Sequence, residues 1–259
     1  MSPARIALCA TLLAGSCAAP LPTDPMILGR ALVRPGVEVE PLASLYKRGF
    51  TAAIVELDMA NGTLVSGPDG ERAFEGQDFL PLSRAIREDG GSGTFMLVLS
   101  LEGNGPATYA SLNRLLHDSR QLLTRYEGGR QVKGPLRIVL AGSVPVDTLA
   151  AERTRYAFAS GGHEALENSP YSADLLPLIR LTYSSVTSWD GEGEIPRSEQ
   201  LALQALTARA HAQGRMVAVR GAPREAWDTL LVVGVDILEV GPADEREARN
   251  LARFLGRRR

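Results

Sequence analysis

Short apolar runs alternate with amphipathic segments along most of this chain. The apolar runs are rich in Val, Ile, Leu and Ala, and several are continuously apolar, as in strands covered on both faces of a parallel sheet. We predict strands over residues 26–32, 52–58, 95–101, 136–141, 156–159, 178–184, 216–219 and 236–240.

The segments between these strands have the apolar spacing of helices. We predict helices over residues 41–47, 80–88, 107–126, 198–213, 224–232 and 244–255. Ser198 is the expected N-cap of its helix, and Gly214 follows its end. Regular β/α alternation indicates a parallel sheet with helices outside it, and eight strands in one domain predict an α/β fold, a (β/α)₈ TIM-type barrel. Residues 141–172 are the least regular, and we expect a degenerate β/α unit there.

The first residues have the layout of a secretory signal. Arg5 precedes an apolar run over residues 6–14, which is too short to span a membrane, and small residues follow. We therefore predict a signal segment over residues 1–19, a Pro-rich linker over 20–25 and the barrel over 26–256. The protein is expected to be exported: periplasmic, attached to the cell envelope, or secreted.

Two ways of processing this segment are open. Residues 14–17 resemble a bacterial lipoprotein cleavage box, in which Cys17 would carry a lipid anchor. Ordinary cleavage near Ala18 or Ala19 is the alternative. Because Cys9 and Cys17 are the chain's two cysteines, the predicted barrel has neither a disulfide nor a thiol nucleophile.

Charge and hydropathy exclude two classes of partner. The formal net charge is −2, and no basic surface typical of nucleic-acid binding is evident, since the basic residues 257–259 are simply a chain-end tail. No second apolar run has the length of a membrane span, so we expect no transmembrane helix.

Two carboxylates end the second predicted strand. Glu56 and Asp58 lie two positions apart, so their side chains point the same way. Barrel sites are built at the carboxyl ends of strands, and carboxylate oxygens bind Mg²⁺ or Ca²⁺. With Asp69 and Glu102 in comparable positions, we hypothesise a divalent-cation site formed by Glu56, Asp58 and Glu102. The alternative is an ordinary strand end with solvated acids.

The order Glu56-x-Asp58, a short hairpin and then residues 67–69 resembles the phosphodiesterase superfamily of glycerophosphodiester phosphodiesterases and phosphatidylinositol-specific phospholipases C. The resemblance implies a TIM barrel in which two histidines do acid–base work on a phosphodiester and a cation on carboxylates stabilises the phosphate charge. Pro68 stands where one of these histidines is expected, and residues 27–32, at the place of the other, contain none.

Later fragments resemble one branch of that superfamily, which includes the altered-inheritance-of-mitochondria proteins and secreted bacterial relatives. In the third-strand motif of the family, Ser100 stands in place of an acid and Glu102 in place of a lysine. The resemblance extends over about residues 45–255, with matching fragments at residues 173–179, 188–191, 210–215, 222–227 and 234–238.

Four further residues are candidates for the site. His163 follows the fifth strand and is a weak catalytic candidate, with a surface role as the alternative. Trp189, Arg220 and Asp69 are candidates for ligand binding. Trp189 has core packing as its alternative, and Arg220, just past the seventh strand, has a surface salt bridge.

Three functions are compatible with these observations. The first is an exported phosphodiesterase-like barrel without its catalytic histidines, which binds a phosphate- or polyol-containing ligand. The second is a divergent metal-dependent glycerophosphodiester or phospholipid phosphodiesterase, in which a cation activates water directly. The third is an envelope scaffold or interaction protein. Whether the protein is an enzyme is left open.

Overall fold

The computed structural model describes residues 26–30, 41–66, 70, 72–91 and 93–240. The predicted signal segment with Cys17, the linker, the helix over 244–255, the basic tail, and Asp69 of the second motif lie outside these residues.

Eight parallel strands form a closed barrel, which confirms the predicted fold class. Each strand is hydrogen-bonded to the next along the chain, and the first strand pairs with both the second and the last. The strands are β1 (Met26–Arg30), β2 (Ala52–Ala60), β3 (Phe95–Leu101), β4 (Leu136–Gly142), β5 (Ala157–Gly161), β6 (Leu178–Thr182), β7 (Met216–Arg220) and β8 (Ile237–Val240).

Helices follow the strands and cover the outside of the barrel. They are α1 (Leu42–Lys47), α2 (Leu80–Glu88), α3 (Gly105–Asp118), α4 (Val146–Ala151), α5 (Glu164–Asn168), α6 (Tyr183–Val186), α7 (Arg197–Ala212) and α8 (Trp227–Val232). A π-helix, Glu75–Phe79, leads into α2, and a 3₁₀ turn, Arg224–Ala226, leads into α8. The short α4 and α5 are the degenerate unit expected between residues 141 and 172.

Along each strand, side chains alternate between the barrel interior and the outer layer that packs against the helices. A buried apolar cluster, including Ala52, Ile54, Met96, Val98 and Phe158, fills the interior. The intervening residues of the same strands pack against the helices in two further clusters. Because the period of a strand is two, the position of each charged residue in this alternation determines whether it points into the barrel.

A hairpin continues from the end of β2, as the sequence predicts. The strand Thr63–Ser66 returns antiparallel to β2 across the turn Asn61-Gly62, in which both residues have positive φ. The carboxylate of Asp78, which is 4% exposed, accepts a hydrogen bond from Ser66 and forms a 2.8 Å ion pair with Arg72. These contacts tie the hairpin to the helix that follows it.

Three sequence predictions about element bounds are wrong. The helix predicted over 107–126 ends at Asp118, because the chain then turns into a hairpin of Arg125–Glu127 and Arg130–Val132 around two positive-φ glycines. The strand predicted over 178–184 ends at Thr182, where α6 begins. Ser198 is not an N-cap, because α7 begins one residue earlier, after Pro196.

In the described part of the chain, no helix is both long and apolar enough to cross a membrane.

Candidate functional site at the barrel mouth

The carboxyl ends of the parallel strands form one opening, which we call the barrel mouth. Glu56 and Asp58 lie at this end of β2, Glu102 directly follows β3, and Arg220 is the last residue of β7. The four side chains therefore belong to the same end of the barrel, as their sequence positions predict.

The acidic half of the mouth is formed by β2 and β3. Glu56 is in register with Ser100, and the Ser100 hydroxyl donates a 3.0 Å hydrogen bond to Glu102 Oε1. Asp58 Oδ1 accepts a 2.7 Å hydrogen bond from the backbone N–H of Met59. A Cβ added at Gly103 would lie 3.0 Å from Asp58 Oδ1, so the Asp58 carboxylate lies directly against the loop that carries Glu102.

The opposite half holds a buried ion pair that the sequence analysis missed. Arg180 on β6 and Glu239 on β8 follow the interior residues Leu178 and Ile237 by two positions, so both point into the barrel. Arg180 Nη2 donates to both carboxylate oxygens of Glu239, at 2.8 and 2.9 Å, and its Nε donates at 3.2 Å. In the sequence, this pair is indicated by a charged residue inside each of two otherwise apolar strands.

Arg220 lies beside that pair and faces solvent. Its Nε donates a 2.9 Å hydrogen bond to Thr182 Oγ1, and its backbone is in register with Glu239. Within the described residues, no carboxylate forms an ion pair with Arg220. The hydrogen bond from Nε therefore fixes the orientation of the guanidinium, and its Nη groups can still donate to a ligand.

Small side chains line the interior between the two charged halves. Ser100 on β3 is in register with Ala141 on β4, and both continue the interior positions of their strands. Ser160 on β5 occupies the same kind of position, and its hydroxyl donates to the carbonyl of Leu140 at 2.9 Å. The side chains at the centre of the mouth are therefore smaller than those of the apolar layer below it.

Glu56, Asp58 and Glu102 are the proposed cation ligands at the mouth. Among the described residues, no three His, Cys, Asp or Glu side chains are grouped closely enough to hold a metal ion. Mg²⁺ often uses only one or two protein carboxylates, with water and ligand phosphate supplying the remaining positions.

The three histidines all lie in the described part of the chain, and among them only His163 is on this face. It is exposed at the start of α5, and within the described residues no hydrogen bond orients its ring. His117 is exposed on α3, and His211 pairs with Asp236 at the opposite end of the barrel, where Nε2 and Oδ2 are 2.9 Å apart. General acid–base catalysis needs a group fixed against the substrate, and His163 does not have that support.

Trp189 is buried beside the mouth. It is 8% exposed within an apolar cluster that packs around α7, and its indole N–H donates to the carbonyl of Glu192 at 2.9 Å. Little of the ring is therefore available to a ligand, and the geometry corresponds to the packing alternative.

The loop around Trp189 is held by the carboxylate of Glu199 on α7. The hydroxyls of Ser188 and Thr187 and the backbone N–H groups of Trp189 and Ser188 all donate to it. These hydrogen bonds, those from Ser188 and Thr187 first, lower the pKa of Glu199 from 4.5 to about 2.

Because the pKa of Glu199 is lower in the folded protein, the contribution of this carboxylate to folding stability depends on pH. It is fully present above about pH 4.5 and is lost as the pH falls towards 2, through the folded-state value. We expect Glu199→Gln to lower the melting temperature at neutral pH, with the difference from the wild type shrinking below pH 4.5 and vanishing near pH 2. Thermal unfolding followed by circular dichroism measures this. Glu194→Gln, an exposed carboxylate of the same loop, should leave the curve unchanged, and an equal effect of both variants would contradict the assignment.

Comparisons with known proteins assign no family. Neither the scan against protein-family models nor the search of curated proteins finds a match. Among solved structures, a glycerophosphodiester phosphodiesterase from Thermotoga maritima is similar at 8% identity and a TM-score of 0.47, covering 91% of this chain and 99% of that one. A mutant tryptophan synthase α-subunit from Pyrococcus furiosus is similar at 16% identity and a TM-score of 0.46, covering 90% and 96%. Likenesses at this level carry no assignment of activity.

The strand register defines the class of the protein, an eight-stranded parallel β/α barrel with a charged mouth.

Proposed function

We propose that this protein is an exported, phosphodiesterase-like barrel that binds a phosphate- or polyol-containing ligand at its mouth and has little or no hydrolytic activity. The observation that carries the proposal is Arg220, an exposed guanidinium aligned by Thr182 across the mouth from the Asp58 and Glu102 carboxylates.

The charges around the mouth favour a ligand with two kinds of group. Arg220 provides N–H donors for a phosphate, and charge-assisted hydrogen bonds of this kind are stronger than neutral ones. Carboxylates accept hydrogen bonds from hydroxyls, and they also hold a Mg²⁺ or Ca²⁺ ion whose remaining positions a phosphate fills. A phosphorylated polyol would satisfy both halves, with the small side chains Ser100, Ala141 and Ser160 beneath it.

The side chains at and near the mouth predict weak hydrolysis. Arg220 stays protonated at any relevant pH, Pro68 has no titratable group, and His163 is exposed without an orienting partner. The loss of a positioned acid or base lowers a rate by about 10²–10⁴-fold. The resemblance to phosphodiesterases would then reflect a retained ligand site.

The proposal is tested by titrating the mature protein with glycerol 3-phosphate, with and without Mg²⁺, by calorimetry. We expect saturable binding that Mg²⁺ strengthens. Arg220→Ala should weaken it by about 10–100-fold, because a hydrogen bond to a charged group contributes about 1.5–3 kcal/mol. Asp58→Asn should remove the Mg²⁺ dependence. Arg84→Ala, an exposed arginine on α2, is the matched control and should bind like the wild type.

Hydrolysis of bis-p-nitrophenyl phosphate by the same variants distinguishes the alternatives. Background turnover together with ligand binding supports the proposal. Robust Mg²⁺-dependent turnover that disappears in Asp58→Asn would replace it by the divergent metal-dependent phosphodiesterase. Neither turnover nor binding of phosphate, polyol or cation would replace it by the scaffold protein.

A further inference from the structure

A small antiparallel sheet lies at the amino-terminal end of the barrel, on the side away from the mouth. It consists of the hairpin Arg125–Glu127 and Arg130–Val132 and of the short strand Thr154–Arg155, and we call it the basal sheet. Tyr126 packs against the apolar cluster of the barrel interior. Because strand side chains alternate, one face of the basal sheet covers the barrel and the other, with Glu127, is exposed.

Exposed cations surround the basal sheet. They are Arg120, Arg130, Lys133 and Arg153. Within the described residues, none of these four side chains forms an ion pair. Asp118, two residues before Arg120, is itself 3.3 Å from the ring of His117. A group of like charges of this kind produces a positive potential that extends about 10 Å into solvent at 0.1 M salt.

Other acids near the basal sheet already have partners. Glu127 Oε2 accepts a 2.8 Å hydrogen bond from Arg125 Nε. The carboxylate of Glu152 accepts hydrogen bonds from Tyr109, at 2.8 Å, and from Asn113, at 3.3 Å. Neither carboxylate is therefore in direct contact with the four exposed cations.

Two further guanidinium groups lie beneath the basal sheet. Arg155 is 5% exposed; its guanidinium carbon lies 4.1 Å from the centroid of the Tyr126 ring, and Nη2 donates to the carbonyl of Asp174 at 3.1 Å. Arg137 on β4 donates to Gln131 Oε1 at 2.9 Å. In the described part of the chain, neither guanidinium forms an ion pair with a carboxylate. Both therefore add positive charge to this end of the barrel.

The chain enters the barrel at the same end. β1 begins at Met26, and parallel strands all begin on the side away from the mouth. Nine residues separate Met26 from Cys17, the predicted lipidation site, and an extended chain of that length reaches about 30 Å at most. A lipid anchor at Cys17 would therefore hold the basal sheet, rather than the mouth, towards a membrane.

We propose that the face formed by the basal sheet binds the surface of an anionic lipid bilayer. The four exposed cations contact the lipid head groups, and the mouth is directed away from the membrane. An exposed group of cations on a sheet suits an extended charged surface, and each Lys or Arg near an anionic leaflet strengthens binding by about fivefold, equivalent to about 1 kcal/mol. This binding face is separate from the barrel mouth and from the function proposed for it.

Vesicle sedimentation with the full chain tests the charge requirement. We expect binding to phosphatidylcholine vesicles containing about 30% phosphatidylglycerol to be at least about tenfold tighter than to phosphatidylcholine alone at 0.1 M salt. The difference should disappear near 1 M salt, where the Debye length falls to about 3 Å. An acyl chain or an apolar leader would bind both vesicles alike, so the difference measures the electrostatic contribution. Equal binding to the two vesicles at 0.1 M salt would overturn the proposal.

Two double variants with the same change of net charge test the location. Arg130→Gln with Lys133→Gln should weaken binding to the anionic vesicles by about 25-fold, which is about fivefold for each charge. Arg197→Gln with Arg224→Gln, two exposed arginines on the side of the mouth, should weaken it by less than about threefold, because these charges lie beyond a Debye length from the bilayer. All four substitutions are at exposed positions, and melting temperatures near that of the wild type verify folding. Equal losses in the two double variants would refute the location.

A soluble polyanion separates the lipid surface from another anionic partner. A single-stranded oligonucleotide, offered at the same salt and the same concentration of negative charge, should bind more weakly than the anionic vesicles. Tighter binding of the oligonucleotide would assign this face to a polyanionic polymer and overturn the lipid assignment.

Discussion

Replacing Glu239 by Ala is expected to lower the free energy of unfolding by about 3–5 kcal/mol, because it leaves the buried guanidinium of Arg180 without its partner. The side chains of Glu239 and Arg180 are 4% and 15% exposed, and each N–H donor facing the carboxylate would lose its acceptor. Urea unfolding at pH 7 measures the loss. No such cost arises when both charges are removed together, so the double change Arg180→Met with Glu239→Leu should recover most of the stability.

The matched control is an exposed ion pair of the same composition. Arg209 Nη1 and Glu167 Oε1 are 3.7 Å apart, and their side chains are 54% and 51% exposed. Glu167→Ala should lower stability by less than about 1 kcal/mol, because water screens exposed pairs. Similar losses in Glu167→Ala and Glu239→Ala would contradict the view that burial gives the barrel pair its importance.

Gly105→Ala is expected to destabilise the protein by about 3 kcal/mol through overpacking. Gly105 begins α3 in the loop that carries Glu102, and an added Cβ would lie 1.7 Å from the backbone carbonyl oxygen of Ser143. That oxygen belongs to the loop after β4, so relief of the clash must separate two loops of the barrel mouth. We therefore expect weaker binding of a mouth ligand as well as a lower urea midpoint.

Gly76→Ala is the control for this substitution. Gly76 also has an ordinary φ, and a Cβ there would meet nothing within 4 Å. The exchange should be neutral or stabilise by up to about 1 kcal/mol, because alanine restricts the unfolded chain more than glycine. Gly105→Ala with stability equal to Gly76→Ala would show that the two loops separate freely, contrary to the packing described above.

Much of the barrel could be predicted because local periodicity carries the information. Runs such as 95–99 and 138–141 are apolar at every position, which is typical of strands with a barrel interior on one side and helices on the other. Local periodicity also made the predicted helix over 107–126 too long. Leu122 and Leu123 are buried like helix residues, but the glycine turn at Gly128-Gly129 sends the chain into a hairpin, which helical periodicity does not indicate.

The candidate site could be predicted only in part. Strand ends were enough to bring Glu56, Asp58, Glu102 and Arg220 to one face, because parallel strands all exit together. The burial of Trp189 and the role of Glu199 depend on how a loop folds onto α7. No spacing in the sequence gives that information, since the contacts between Glu199 and this loop are hydrogen bonds that form only when the loop folds onto α7.

The sequence by itself determined the class of fold and the end of the barrel at which charged residues gather, because both follow from the period of strands and the order of elements. Only the tertiary structure decided which charges are paired. Arg180 and Glu239 are 59 residues apart and meet inside the barrel. β7 pairs with both β6 and β8 and so brings these two strands close together, and burial then makes each charge depend on the other.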